Sequence, residues 1–487
     1  MGFRHFAGAV LVGGGLLVAG TAGMSTAVAQ SEFNLPSLGD TSASIMSREQ
    51  EYQLGRAWLS MLRGAVRTLD DPLLKDYLEQ HVYHLVQTSQ LEDRRLAFVV
   101  INSSQLNAFA APGGVIGVNG GLFLHARSES EFASVMAHEL AHLSQRHFAR
   151  NLEHQQRMRI PLMTAMLASV VLAASGGGDA GFAALASTQA AAIQEQRRFS
   201  RQNEQEADRI GLLNLRQAGY DPGAMPDMFE RLSQLSRFDR TPPEFLLTHP
   251  VSQSRIADSR NRAEQLGGGG RRDSLDYQML RARMQLFYEQ SPGLAAQRFR
   301  AQLEEHGEQH HAARYGLMQA LLRASQFDEA EQQLQQLLSA EPGNLIIRYA
   351  QIELEAGRGL HAQALAHADR LLEEHPGHFP LLFIKADLLM ASQRHREAEQ
   401  VIDRLAGLRP GDPDVWYLAA EIRGLAGNIV GVHSARAEYF MLAGDLAQAG
   451  EQLDLALRRS GDNFVHNARI RARQQELERL REVIKGF

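Results

Sequence analysis

From residue 296 onward the chain repeats itself every 34 residues. Ala296, Ala330, Ala364 and Ala398 keep that spacing, as do Tyr315, Tyr349, Phe383 and Tyr417, and Pro342, Pro376 and Pro410. Three series in one register specify a helix–turn–helix unit. The aromatic sits in the first helix, the alanine lies where the two helices touch, and the proline closes the second helix because it cannot continue it. One such pair cannot bury its own apolar face, so successive pairs must stack into a solenoid. The next matching alanine, Ala449, comes 51 residues after Ala398, one and a half repeats. This predicts an extra helix around Ile422 to Ser434. Residues 274–487 are therefore expected to form an α-helical repeat domain. The run "GGGGRR", Gly267 to Arg272, marks a linker over 267–273.

Residues 46–266 have a different grammar. The pattern is helical from Ser47 to about Gln87, and then "RLAFVVIN" (Arg95 to Asn102) is β-like. "NAFAAPGGVIGVNGGLF" (Asn107 to Phe123) reads as extended segments around a Pro112-Gly113-Gly114 turn. Ser128 and Glu131 then form a capping box that opens a long helix with Phe132, Val135, Met136 and Leu140 on one face. The expected class is mainly α: a helical domain with a small β-sheet, followed by the solenoid.

The first 29 residues read as a signal peptide: Arg4 and His5, an apolar Gly-rich stretch, then Ala27-Val28-Ala29 as the cleavage site. Residues 30–45 would be a flexible lead-in, and the expected location is the periplasm. The apolar stretch Ile160 to Gly178 is short for a span, which favours a buried or surface-lying helix and no transmembrane span in the mature chain. A net charge of −6 gives no reason to expect nucleic acid as a partner. The chain has no cysteine, which removes thiol catalysis, disulfides and thiolate metal sites.

The chemistry is concentrated in "VMAHELAHLSQRH", Val135 to His147. Residues i and i+4 of a helix lie within about 40° of each other, so His138 and His142 can reach one metal ion. Glu139 is rotated enough to hold a water there without ligating. Catalytic zinc takes a third protein ligand and leaves a position open. Without cysteine, that ligand must be His, Asp or Glu. In "SRQNEQEADRIG", Glu204 and Asp208 are also i, i+4; Glu204 can ligate while Asp208 accepts the free N–H of a metal histidine. Glu206 lies about 200° round from Glu204 and is expected in solvent, although spacing leaves it open as the ligand. His147, about 140° round from His142, is expected to be solvated or structural.

"NAFAAPGGVI", "HELAHLSQRH", "SRQNEQEADRIG" and "THPVSQSRI", in that order and followed by tetratricopeptide-type repeats, resemble the gluzincin-type zinc endopeptidases that include the CAAX prenyl proteases. The likeness is greater still to exported members carrying such repeats, and it spans nearly all the mature chain. It implies one Zn2+ per chain held by His138, His142 and Glu204, with Asp208 behind a histidine. It also implies that His249 in Thr-His-Pro lies near the metal, where it is expected to fill the fourth position at rest. The rival role for His249 is a donor to the oxyanion, and a plain turn before Pro250 is also open. Arg255 is expected near the same cleft or in a surface ion pair. The implied clients are unfolded or misassembled outer-membrane β-barrel proteins, with the repeats contacting the client or the β-barrel assembly machinery. A chaperone or adaptor with a latent zinc site is the alternative, but nothing besides catalysis requires Glu139.

Overall fold

The computed structural model describes residues 46–158, 178–238, 243–307 and 309–485. The expected signal peptide and lead-in (1–45) and the apolar stretch 160–177 lie outside the described residues.

Helix α1 (Arg48–Ala65) starts on a capping box of Ser47 and Gln50. Helix α2 (Pro72–Thr88) starts on Asp71, whose carboxylate accepts from Leu73 and Leu74 N–H. Three strands follow: β1 (Ala97–Ile101), β2 (Ala108–Ala111) and β3 (Val115–Asn119), in the spatial order β1-β3-β2. β3 is buried throughout; it pairs parallel to β1 with Ala97 opposite Val115, and antiparallel to β2 with Ala108 opposite Val118. β2 is left as an edge. Gly113 and Gly114 make the turn, with φ of 72° and 74°, a conformation glycine adopts without a steric penalty.

The extended segment expected to reach Phe123 ends at Asn119, and α3 (Gly120–His125) begins. Leu122 and Phe123 are both fully buried. Adjacent strand residues point to opposite faces, whereas a helical turn sends both into one core. Helix α4 (Glu129–Ser144) is buried from Glu129 to Ala141 and packs against α2, β2 and the later helices. Ser128 Oγ accepts from Glu131 N–H as expected, but the return bond differs. The Glu131 carboxylate takes the N–H of Arg127 (2.6 Å) and the guanidinium of Arg231 (2.6 Å). Then come α5 (147–158), α6 (Gly178–Gln217), α7 (Ala224–Phe238), α8 (Glu244–Thr248) and α9 (Gln253–Gln265).

The remainder is helical: α10 (Leu275–Tyr288), α11 (Pro292–His306), α12 (His311–Arg323), α13 (Phe327–Ala340), α14 (Leu345–Gly357), α15 (His361–Glu374), α16 (Phe379–Ala391), α17 (His395–Leu408), α18 (Pro413–Leu425), α19 (Ile429–Leu442), α20 (Leu446–Arg459) and α21 (Phe464–Lys485). Ala296, Ala330, Ala364, Ala398 and Ala449 are buried at helix contacts. Tyr315 and Tyr349 are buried too, but Tyr417 is 58% exposed, so the aromatic series loses its packing role at its end. The extra helix is α19, later than the expected 422–434. Residues 422–425 finish α18, Gly427 turns the chain at φ 79°, and Asn428 caps the new helix by accepting from Gly431 N–H.

The array begins inside the first domain's core and closes back on it. Tyr277 of α10 is fully buried against Tyr77, Phe123 and Phe132 (ring centroids 6.1, 6.3 and 5.7 Å), and its hydroxyl donates to Ala126 O (2.9 Å). Further on, Arg409 pairs with Asp76 (2.6 Å) and Glu79 (2.7 Å), and Lys75 with Asp412 (3.2 Å) and Asp414. Tyr277→Ala is expected to cost about 3–5 kcal/mol, as other large aromatic truncations in cores do. Urea unfolding checks this; a loss below about 1 kcal/mol would show that α10 is not part of that core.

Candidate metal centre

Helix α4 holds His138 and His142 one turn apart, and their Nε2 atoms lie 3.0 Å from each other. Helix α6 runs close beside it because residue 211 is glycine: a Cβ there would sit 3.2 Å from the Ala137 and His138 backbone. Two turns before Gly211, Glu204 therefore faces the histidines. Its carboxylate oxygens lie 3.5 Å from His138 Nε2 and 3.4 Å from His142 Nε2. His249, at the C-terminal end of α8, brings Nδ1 to 3.0 Å from Glu204 Oε1 and 3.4 Å from His138 Nε2. One ligand atom from each of these four residues falls within 4.8 Å of the other three. Imidazole nitrogens turned toward one another around a carboxylate form a donor set that fits a divalent cation.

Glu139 is buried next to this cluster without joining it. Its Oε1 has no hydrogen-bond partner and lies 3.5 Å from His249 Nε2. The cluster opens on a cleft of about 490 Å3, bordered by Phe109 to Gly114 of the edge strand and its turn and by Leu143, Phe148 and Phe199.

A second layer braces the cluster. Asp208 Oδ1 faces His138 Nδ1 at 3.0 Å. Arg255 is buried and grips Asp208 with two 2.7 Å bonds, reaches Glu204 (2.9 Å), and donates to Pro250 O (2.7 Å), which ties the His249 loop to α6. The expectation for His147 and Glu206 needs correction. His147 is buried, with Nδ1 2.8 Å from His142 Nδ1 and Nε2 3.2 Å from Glu206, which also takes Arg150 (2.9 Å). The 140° estimate assumed a continuous helix, but α4 ends at Ser144 and Arg146 adopts φ 50°, which swings His147 back. Arg146 is held there by Glu51 (3.0 Å) and Met46 O (2.7 Å). A helix-ending residue between two histidines was the signal to look for, but arginine is a rare choice for it.

Electrostatics sorts the groups. Burial opposes charge on His138, but its bonds to Asp208 and Glu204 outweigh this and raise its pKa to about 9 in the metal-free protein. Burial, then the neighbouring His138, holds His142 well below the imidazole range. Glu204 is lowered despite burial by His138 and His249, and Asp208 despite burial by His138 and Arg255. Burial raises Glu139. Metal binding near neutral pH should therefore displace about one proton, from His138, and affinity should climb as pH rises towards 9. The metal-free protein should show the opposite trend. The stabilising effect of charged His138 is complete below its unfolded pKa, about 6.5, and lost as pH rises through 9. Calorimetry in buffers of different ionisation heat counts the proton; a count of zero at pH 7 contradicts this assignment.

Residues 72–263 match peptidase family M48, and residues 315–379 and 354–422 match tetratricopeptide repeats. The beta-barrel assembly-enhancing protease of Escherichia coli (strain K12) is 34% identical over 97% of both chains. The chain belongs to peptidase family M48. It is a metallopeptidase with tetratricopeptide repeats. A putative beta-barrel assembly-enhancing protease of Vibrio cholerae is 40% identical over 65% of this chain and 66% of its own. A mitochondrial metalloendopeptidase of Arabidopsis thaliana is 32% identical over 39% of this chain and 36% of its own. Among the described residues of this M48 peptidase, no helix is long and apolar enough to cross a membrane.

Proposed function

We propose that this chain is a periplasmic zinc endopeptidase, exported by a signal peptide cleaved after Ala29. It degrades misfolded or misassembled outer-membrane β-barrel proteins and assists their assembly through its repeats. The observation that carries this is the convergence of His138, His142, Glu204 and His249 within 4.8 Å beside a buried, unpartnered Glu139. The relatives' name, beta-barrel assembly-enhancing protease, supports the client class. In this reading residues 46–266 cut, 267–273 join, and 274–487 engage the client or the assembly machinery.

His138, His142 and Glu204 would hold one Zn2+, with Asp208 orienting His138. Zinc bound there supplies a Lewis acid that polarises a carbonyl and acidifies water. Glu139 takes the proton of the attacking water and passes it to the leaving amine. An extended peptide lies beside the free edge of β2, where backbone hydrogen bonds give affinity with little sequence preference.

The test is degradation of an unfolded β-barrel outer-membrane protein by the full chain, with metal content measured in parallel. His138→Ala, His142→Ala and Glu204→Ala are each expected to lose zinc and activity together, and Asp208→Ala to weaken zinc about 10–100-fold. Undiminished proteolysis by a metal-free His138→Ala protein would end this reading.

A further inference from the structure

We infer that His147 and Glu206 are positioning residues for the metal, acting through His142 by fixing which of its ring nitrogens carries the proton. The inference rests on His142 being a ligand. A carboxylate only accepts, so the 3.2 Å contact from Glu206 puts a hydrogen on His147 Nε2. A neutral His147 then presents a lone pair at Nδ1. The 2.8 Å contact between the Nδ1 atoms of His147 and His142 has room for one hydrogen, and it must come from His142. That leaves His142 Nε2 with its lone pair. This is the atom 3.0 Å from His138 Nε2 and 3.4 Å from Glu204.

The two metal histidines thus have parallel supports. His138 faces Asp208 directly, and Arg255 pins Asp208. His142 reaches Glu206 through one extra imidazole, and Arg150 pins Glu206. Both carboxylates stand on one turn and a half of α6, and they diverge because residues two apart point to different sides. His147 can fill the gap only because of the turn at Arg146.

A purely structural role, tying α5 to α6, predicts different results. Zinc affinity of the full chain is measured by competition with a chromophoric chelator. Glu206→Ala and His147→Ala are expected to weaken Zn2+ about 10–100-fold. Glu206→Gln should stay close to wild type, because its amide oxygen still accepts from His147 Nε2. Nitrogen-15 NMR of histidine in the metal-free wild type should show His142 protonated at Nδ1, and Glu206→Ala should lose that preference. Wild-type His142 protonated at Nε2 overturns the inference, whatever the folding of the variants. So does unchanged zinc affinity in Glu206→Ala while His142→Ala loses the metal. If His142→Ala itself keeps zinc, the ligand assignment falls first and takes this inference with it.

Discussion

Glu139→Gln is expected to keep its zinc and its fold and to lose about 10²–10⁴-fold in turnover. The side chain is buried and outside the convergent donors, so an isosteric amide disturbs neither packing nor ligation. What disappears is a base. Glutamine cannot take the proton of the attacking water or return one to the leaving amine. Burial also raises the Glu139 carboxyl towards the range where a base both accepts and releases a proton readily. The loss should appear in kcat, with KM little changed, because the contact matters in the transition state and not in binding. Metal analysis beside steady-state kinetics decides it. Equal loss of zinc in this variant would mean that Glu139 is a ligand and that the roles are misassigned.

His249→Ala is expected to raise basal cleavage of a generic unfolded protein. His249 stands between Glu204 and Glu139, with Nδ1 on the donor side and Nε2 3.5 Å from the base. In that place it occupies the space that a water and a scissile carbonyl need. Its contact with a charged carboxylate has a value of about 1.5–3 kcal/mol, which sets the closed state's advantage and a rise of about 10–100-fold when it is removed. The rival role, donation to the oxyanion, predicts the reverse, a fall of about 10²–10³-fold. Zinc content should be unchanged if Glu204, His138 and His142 suffice. A fall in activity at full zinc content would exclude the lock. The anchor from Arg255 to Pro250 O gives the loop a hinge point, so a client or partner that shifts α9 would also shift His249.

These assignments were unequally legible. His138, Glu139 and His142 could be read from spacing, because rotation per residue within one helix is a local property of the backbone. The same holds for Ser128 as a cap and for the 34-residue repeat, whose alanines and prolines report contacts between neighbours in sequence. Glu204 could be narrowed but not chosen, since spacing says which residues share a face of α6 and nothing about which face meets α4. That was decided by Gly211, which lets the two backbones approach. His147 was misjudged because one residue, Arg146, leaves the helical region and thereby cancels the angular count. The closure of the repeats on α2 through Lys75 and Arg409 was likewise invisible, since those partners lie more than 300 residues away. Local periodicity and caps therefore determined the helices, the repeat and the metal histidines. The third ligand, the second layer and the seat of the repeats depended on where helices end and how closely they pack, and those are settled by contacts between residues distant in sequence.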